Sequence, residues 1–140
     1  MSRIARAISR SAVFLSIATT SCNPLGDLDL TGPSSSPTTA TVEIHSTGFD
    51  PIFVVIAPGG RVTFRNRDDV SHQVASDPHP DHTGCPELNG PPLAPGATFV
   101  ATMPGEDRTG CSFHDDQRLD QQSFRGSISV CRQFSLFGCT

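Results

Sequence analysis

Imidazoles and sulfurs are the reactive groups of this chain: His45, His72, His79, His82 and His114, with Cys22, Cys85, Cys111, Cys131 and Cys139. Four of the histidines keep notable company. His72 follows Asp68-Asp69, His79 and His82 bound the segment His79-Pro80-Asp81-His82, and His114 leads into Asp115-Asp116. Imidazole, thiolate and carboxylate are the donors that hold transition-metal ions, provided that a fold gathers them. His79 and His82 lie in a proline-rich segment that can pass near His72, which gives them a direct or supporting part in such a site. His45 stands alone on a strand and reads as a surface residue. Asp68 and Asp69 fall in a turn, where carboxylates cap backbone amides. The chain offers no nucleophile and base pair and no glycine-rich phosphate loop, so it is not expected to be an enzyme.

The elements that must position these donors fit into one domain, since 140 residues allow a single core once flexible segments are set aside. With 36% hydrophobic and 17% charged residues, 12 Gly and 12 Pro, the composition is that of a turn-rich globular chain and excludes coiled coil and wholesale disorder. The net charge of -4 is uneven: Arg3, Arg6 and Arg10 give the first 21 residues +3, leaving -7 for the rest. A nucleic-acid partner is therefore not expected.

The arginines precede the apolar run Ala12 to Ala18, far short of the roughly 20 residues a membrane-spanning helix needs. Residues 1–21 read as a secretory signal peptide. Cys22 after Thr19-Thr20-Ser21 resembles the lipobox of bacterial lipoproteins, with Thr19 where Leu is usual. That resemblance implies lipidation of Cys22, and Asn23 after it points to the outer membrane; otherwise the chain is periplasmic with Cys22 a spare thiol. Membrane contact would then be through the lipid alone. Residues 22–40, centred on Gly32-Pro33-Ser34-Ser35-Ser36-Pro37, lack any hydrophobic period and read as a tether.

From Thr41 the apolar residues alternate: Val42 and Ile44; Ile52, Val54 and Ile56; Val62 and Phe64; then Phe99 and Ala101, Cys111 and Phe113, Ile128 and Val130. Gly48 to Pro51 and Pro58-Gly59-Gly60 read as turns between them. This predicts an all-β domain over 41–130, a sandwich of about seven antiparallel strands, followed by a tail at 131–140.

Phe49-Asp50-Pro51, Pro58-Gly59-Gly60-Arg61-Val62-Thr63-Phe64-Arg65-Asn66-Arg67-Asp68, Ser71-His72-Gln73-Val74, Leu93-Ala94-Pro95-Gly96, Phe113-His114 and Arg125-Gly126-Ser127-Ile128 occur in the order seen in the plastocyanin-like domains of the cupredoxin superfamily. The resemblance spans about Thr41 to Val130. It implies a Greek-key β-sandwich with a single copper ion near one end, used in electron transfer or copper handling with a redox or copper-transfer partner, in a monomer. His72 matches the first imidazole ligand.

The second half of the implied site has two registers. In one, Cys111-Ser112-Phe113-His114 is the family's thiolate and imidazole pair, giving type 1 copper; Phe124 then stands where the family has its axial Met, leaving Gln121 or Gln122 as substitutes. In the other, Cys111 and Phe113 face the core and the family's Cys position falls on Asp115. His114-Asp115-Asp116 then resembles the His-Asp-His segment of a divergent group that also carries a His-Pro-x-His stretch, and copper would be held by His72, His114, His82 and Asp116 without thiolate. Cysteine parity favours the second register: with Cys22 lipidated, four cysteines remain to pair in an oxidising compartment. The short spacing of Cys131 and Cys139 favours that local bond and leaves Cys85 with Cys111. A metal-free sandwich serving as a structural or partner-binding module is the rival reading, since Phe124 replaces Met and Asp116 replaces the second His.

Overall fold

A computed structural model describes residues 34–135 and 138–139. The expected signal peptide, Cys22 and most of the tether lie outside the described residues. The described residues form eleven strands: β1 (Ser34–Ser35), β2 (Thr39–His45), β3 (Gly48–Asp50), β4 (Phe53–Ile56), β5 (Arg61–Asn66), β6 (Val74–Ser76), β7 (Thr98–Thr102), β8 (Arg108–Asp115), β9 (Arg125–Val130), β10 (Gln133–Ser135) and β11 (Gly138–Cys139). Pro86–Leu88 and Gln122–Phe124 are 3-10 turns, and the described residues contain no α-helix.

Two four-stranded sheets, β3-β2-β5-β7 and β4-β9-β8-β6, enclose the core, and β1-β10-β11 form a third, small sheet whose Phe134 meets Phe53 of β4. Alternation decides what faces inward: Val42, Ile44, Val62 and Phe64 from one sheet, and Val54, Ile56, Cys111, Phe113, Ile128 and Val130 from the other, are all buried. At the centre Phe113 meets Phe49 and Phe64 edge to face, with ring centroids 5.1 and 5.2 Å apart.

The sandwich departs from the sequence reading in four ways. Ile52 is 57% exposed, because it sits in the bend before β4 and the inward period begins with Val54. Gly48–Asp50 is a strand rather than a turn, hydrogen-bonded to β2 with Phe49 opposite Ile44. Gly48 has φ 135°, and a Cβ there would fall 2.3 Å from the Ser123 carbonyl oxygen, so only glycine allows this close approach to the Gln122–Phe124 turn. Two pairings, β2 with β5 and β4 with β9, are parallel. β4 belongs to the opposite sheet, so the chain leaves and re-enters the first sheet between β2 and β5 and returns in the same direction. Finally, β2 begins at Thr39, and Ser34–Ser35 pairs with Gln133–Phe134, so strand pairing extends beyond residues 41–130 on both sides.

Both disulfides favoured by the short Cys131–Cys139 spacing are formed, Cys85 with Cys111 and Cys131 with Cys139. The type 1 copper register therefore does not hold, because the Cys111 sulfur is committed to Cys85. Cys85–Cys111 anchors the long segment after β6 to the inner face of β8. That segment is otherwise held by its polar groups. The Asp77 N–H donates to the Ser112 carbonyl (3.0 Å), the Gly84 N–H to the Asp77 carbonyl (2.8 Å) and the Asn89 amide to the His82 carbonyl (2.8 Å); the Ser76 N–H donates to Asn89 Oδ1 (2.8 Å) and the Arg108 guanidinium to the Gly84 carbonyl.

Candidate metal centre

At the end of β8 the alternation of a strand sets two chemistries back to back. Cys111, Phe113 and Asp115 point into the sandwich, and Ser112 and His114 point to the outer face, where the segment after β6 covers them. His114 is completely buried there. Its Nδ1 donates to Asp77 Oδ1 at 2.7 Å, which leaves Nε2 as the free acceptor.

That nitrogen faces a cluster. One donor atom each from His79, His82, His114 and Asp116 lies within 4.8 Å of all the others. Asp116 Oδ1 is 3.0 Å from His79 Nδ1, 3.3 Å from His82 Nε2 and 3.7 Å from His114 Nε2, and His79 Nδ1 is 3.2 Å from His82 Nε2. The three rings have centroids 5.3 to 5.7 Å apart. Donors bound at about 2.0 Å to one tetrahedral ion stand about 3.3 Å from each other, and these four separations, 3.0 to 3.7 Å, lie near that value. Two of the buried atoms make no hydrogen bond: His114 Nε2, and Asp116 Oδ1, whose neighbours are the three imidazole nitrogens. Buried polar atoms normally find partners, and an ion between these four groups would supply one. His82 reaches the cluster with φ 50°, a left-handed backbone that is rare for a residue with a Cβ and typical of constrained functional positions. The donor set of three imidazoles and a carboxylate fits a divalent transition ion.

On the inner side of the same strand end, His72 is fully buried and its two nitrogens are directed at carboxylates. Nδ1 is 2.5 Å from Asp115 Oδ2 and Nε2 is 3.1 Å from Asp68 Oδ2. Phe124 stacks on the ring at 5.4 Å and 17°. A 2.5 Å contact leaves no room for an ion between Nδ1 and Asp115, and His72 belongs to no group of three metal donors among the described residues. The Asp69 N–H above all, and then His72, hold the Asp68 carboxyl below the usual carboxylate range against the opposing effect of desolvation.

Of the four ligands expected for the thiolate-free register, the structure gathers His82, His114 and Asp116 and leaves His72 out. His72 carries the correction: it bonds Asp115 and Asp68 on the opposite face from the cluster. His79 takes the fourth place, and its spacing of three from His82 was the signal for it. Gln121 and Gln122 are exposed, and His45 lies at the surface beside Glu43. Asp77, which orients His114, carried no recognisable motif; Asp115, which closes on His72, stood in the middle of the His114-Asp115-Asp116 segment without a role of its own being assigned to it.

No protein-family model matches the sequence, and neither does any curated protein. Solved structures do. A purple cupredoxin from Nitrosopumilus maritimus superposes with a TM-score of 0.52 at 22% identity, over 65% of this chain and 98% of that one. A mutant plastocyanin of fern gives 0.51 at 19%, over 64% and 98%, and the P96G mutant of amicyanin gives 0.52 at 18%, over 71% and 91%. At these identities the likeness is one of architecture, and it agrees with the two mixed four-stranded sheets: the chain has the cupredoxin fold.

Proposed function

We propose that this is a copper-binding module of the bacterial envelope, lipid-anchored through Cys22, that holds a single ion at His79, His82, His114 and Asp116. The observation that carries the reading is the convergence of four donors on one point, with His114 Nε2 and Asp116 Oδ1 buried and making no hydrogen bond. When bound, the ion supplies a redox-capable divalent centre. The chain's own residues do the rest. Asp77 fixes the His114 tautomer, as carboxylates behind metal-bound imidazoles do, and the Cys85–Cys111 bond ties the segment bearing His79 and His82 to the strand bearing His114.

Imidazole and carboxylate donors without thiolate or thioether favour the divalent over the monovalent ion, which points to copper handling rather than electron transfer. The partner would then be a protein that gives or takes copper, and His79, 41% exposed, is the ligand such a partner meets first. The test is a Cu(II) titration. One ion per chain is expected, with an electron paramagnetic resonance signal of nitrogen ligation and no intense blue band. Binding no tighter than that of a His114→Ala/Asp116→Ala variant would leave the rival reading, a metal-free partner-binding module, which is favoured by the way His72, Asp115 and Phe124 fill the inner end of the sandwich.

A further inference from the structure

Asp115 lies between two of the cluster's donors in the chain, yet faces away from them. Its carboxylate is a hub for the backbone on both sides of the centre. Oδ2 accepts from His72 Nδ1 at 2.5 Å, and Oδ1 accepts the N–H of Gln73 and the N–H of Gln117, both at 3.0 Å. The Asp116 N–H in turn donates to the Gln73 carbonyl at 2.8 Å. The other half of the hub is equally fixed. His72 exchanges backbone hydrogen bonds with Leu93 (3.1 and 2.7 Å), places Nε2 against Asp68 and lies flat on Phe124. Both side chains are completely buried. A buried carboxylate with three donors cannot turn without losing hydrogen bonds that no water replaces, so the backbone carrying His114 and Asp116 is held where Asp115 holds it.

We propose that His72 and Asp115 are the positioning residues of the metal centre: not ligands, but the pair that sets the angle at which His114 and Asp116 present their donor atoms on the other face of β8. Supporting groups of this kind typically control metal affinity by about 10- to 100-fold. The inference rests on the proposed site at His79, His82, His114 and Asp116, and it explains why a fully buried imidazole and carboxylate are kept next to a centre that they do not touch.

The test compares the full chain with Asp115→Ala, Asp115→Asn and His72→Gln. Cu(II) affinity is measured by chelator competition, ligand geometry by the copper hyperfine splitting, the number of bound imidazoles by pulsed electron paramagnetic resonance, and fold by the melting of the ion-free chain. Asp115→Ala and His72→Gln are expected to bind Cu(II) about 10- to 100-fold more weakly, with shifted hyperfine splitting and still three imidazoles. Asp115→Asn, which keeps one acceptor oxygen, is expected to lose less. A purely architectural role would lower the melting temperature and leave the spectrum of the bound ion unchanged, which would overturn the inference. So would the loss of one bound imidazole in His72→Gln, because His72 would then be a ligand. Should Asp115→Ala fail to fold, Asp115→Asn and His72→Gln decide the matter by the same readouts. Failure of the unaltered chain to bind Cu(II) is a different result: it removes the centre itself, and the inference with it.

Discussion

His114 is a buried side chain with one nitrogen committed and the other left to accept. Its Nδ1 is occupied by Asp77, its ring is sealed from water, and its remaining lone pair looks toward His79, His82 and Asp116. Asp77→Ala should therefore lower Cu(II) affinity by about 10- to 100-fold, measured by competition, because the ring loses the partner that selects its tautomer. His114→Ala should remove binding altogether. Protons compete with the ion for imidazole nitrogens, so affinity should fall as the solution is acidified. Asp68 acts in the same direction on stability. Its carboxyl titrates below the ordinary aspartate value, so its contribution is complete above that ordinary value and is lost as pH falls through the lower native one. Asp68→Asn should flatten the acid limb of the stability curve, as followed by denaturant melts across pH. These residues were unevenly legible. His82, His114 and Asp116 could be named from the His-Pro-x-His and His-Asp-Asp segments. The separation of His72 from them could not, because it depends on which face of β8 each neighbour occupies, and a shift of one residue along a strand exchanges the faces.

Among the elements, the segment after β6 matters most. It is long and rich in proline, and it has no strand of its own between Ser76 and Thr98, yet it is fastened at Asp77, Gly84, Cys85 and Asn89. The Cys85–Cys111 bond closes a loop of 26 positions, for which the chain-entropy model gives roughly 3 kcal/mol. A Cys85→Ser/Cys111→Ser chain should be less stable by about that amount in denaturant unfolding. It should also bind Cu(II) more weakly even where it is fully folded, because His79 and His82 lose their covalent link to β8. Phe124 closes the other side, stacked on His72 and edge-on to Phe49. Phe124→Ala should cost about 3–5 kcal/mol. The alternation of Val42 with Ile44, Val62 with Phe64 and Ile128 with Val130 made these strands readable. It says which side chains turn inward and nothing of strand direction, so the parallel pairings of β2 with β5 and of β4 with β9 were beyond it.

For the molecule as a whole, an ion that binds only the folded chain stabilises it in proportion to the logarithm of its concentration. Cu(II) at about a hundred times its dissociation constant should add about 2.7 kcal/mol, visible as a concentration-dependent rise in melting temperature that the His114→Ala chain lacks. Titration of the unfolded, unreduced protein should find no free thiol among Cys85, Cys111, Cys131 and Cys139, since all four are paired. That pairing suits an oxidising compartment.

The cross-link between Cys85 and Cys111 also governs what happens when the cluster is emptied. The two stretches of chain that supply the donors stay clasped whether or not a cation sits between them, so little ordering accompanies uptake and little unravelling accompanies release. A cation taken up at the proposed site would thus enter and leave many times over without the protein having to refold.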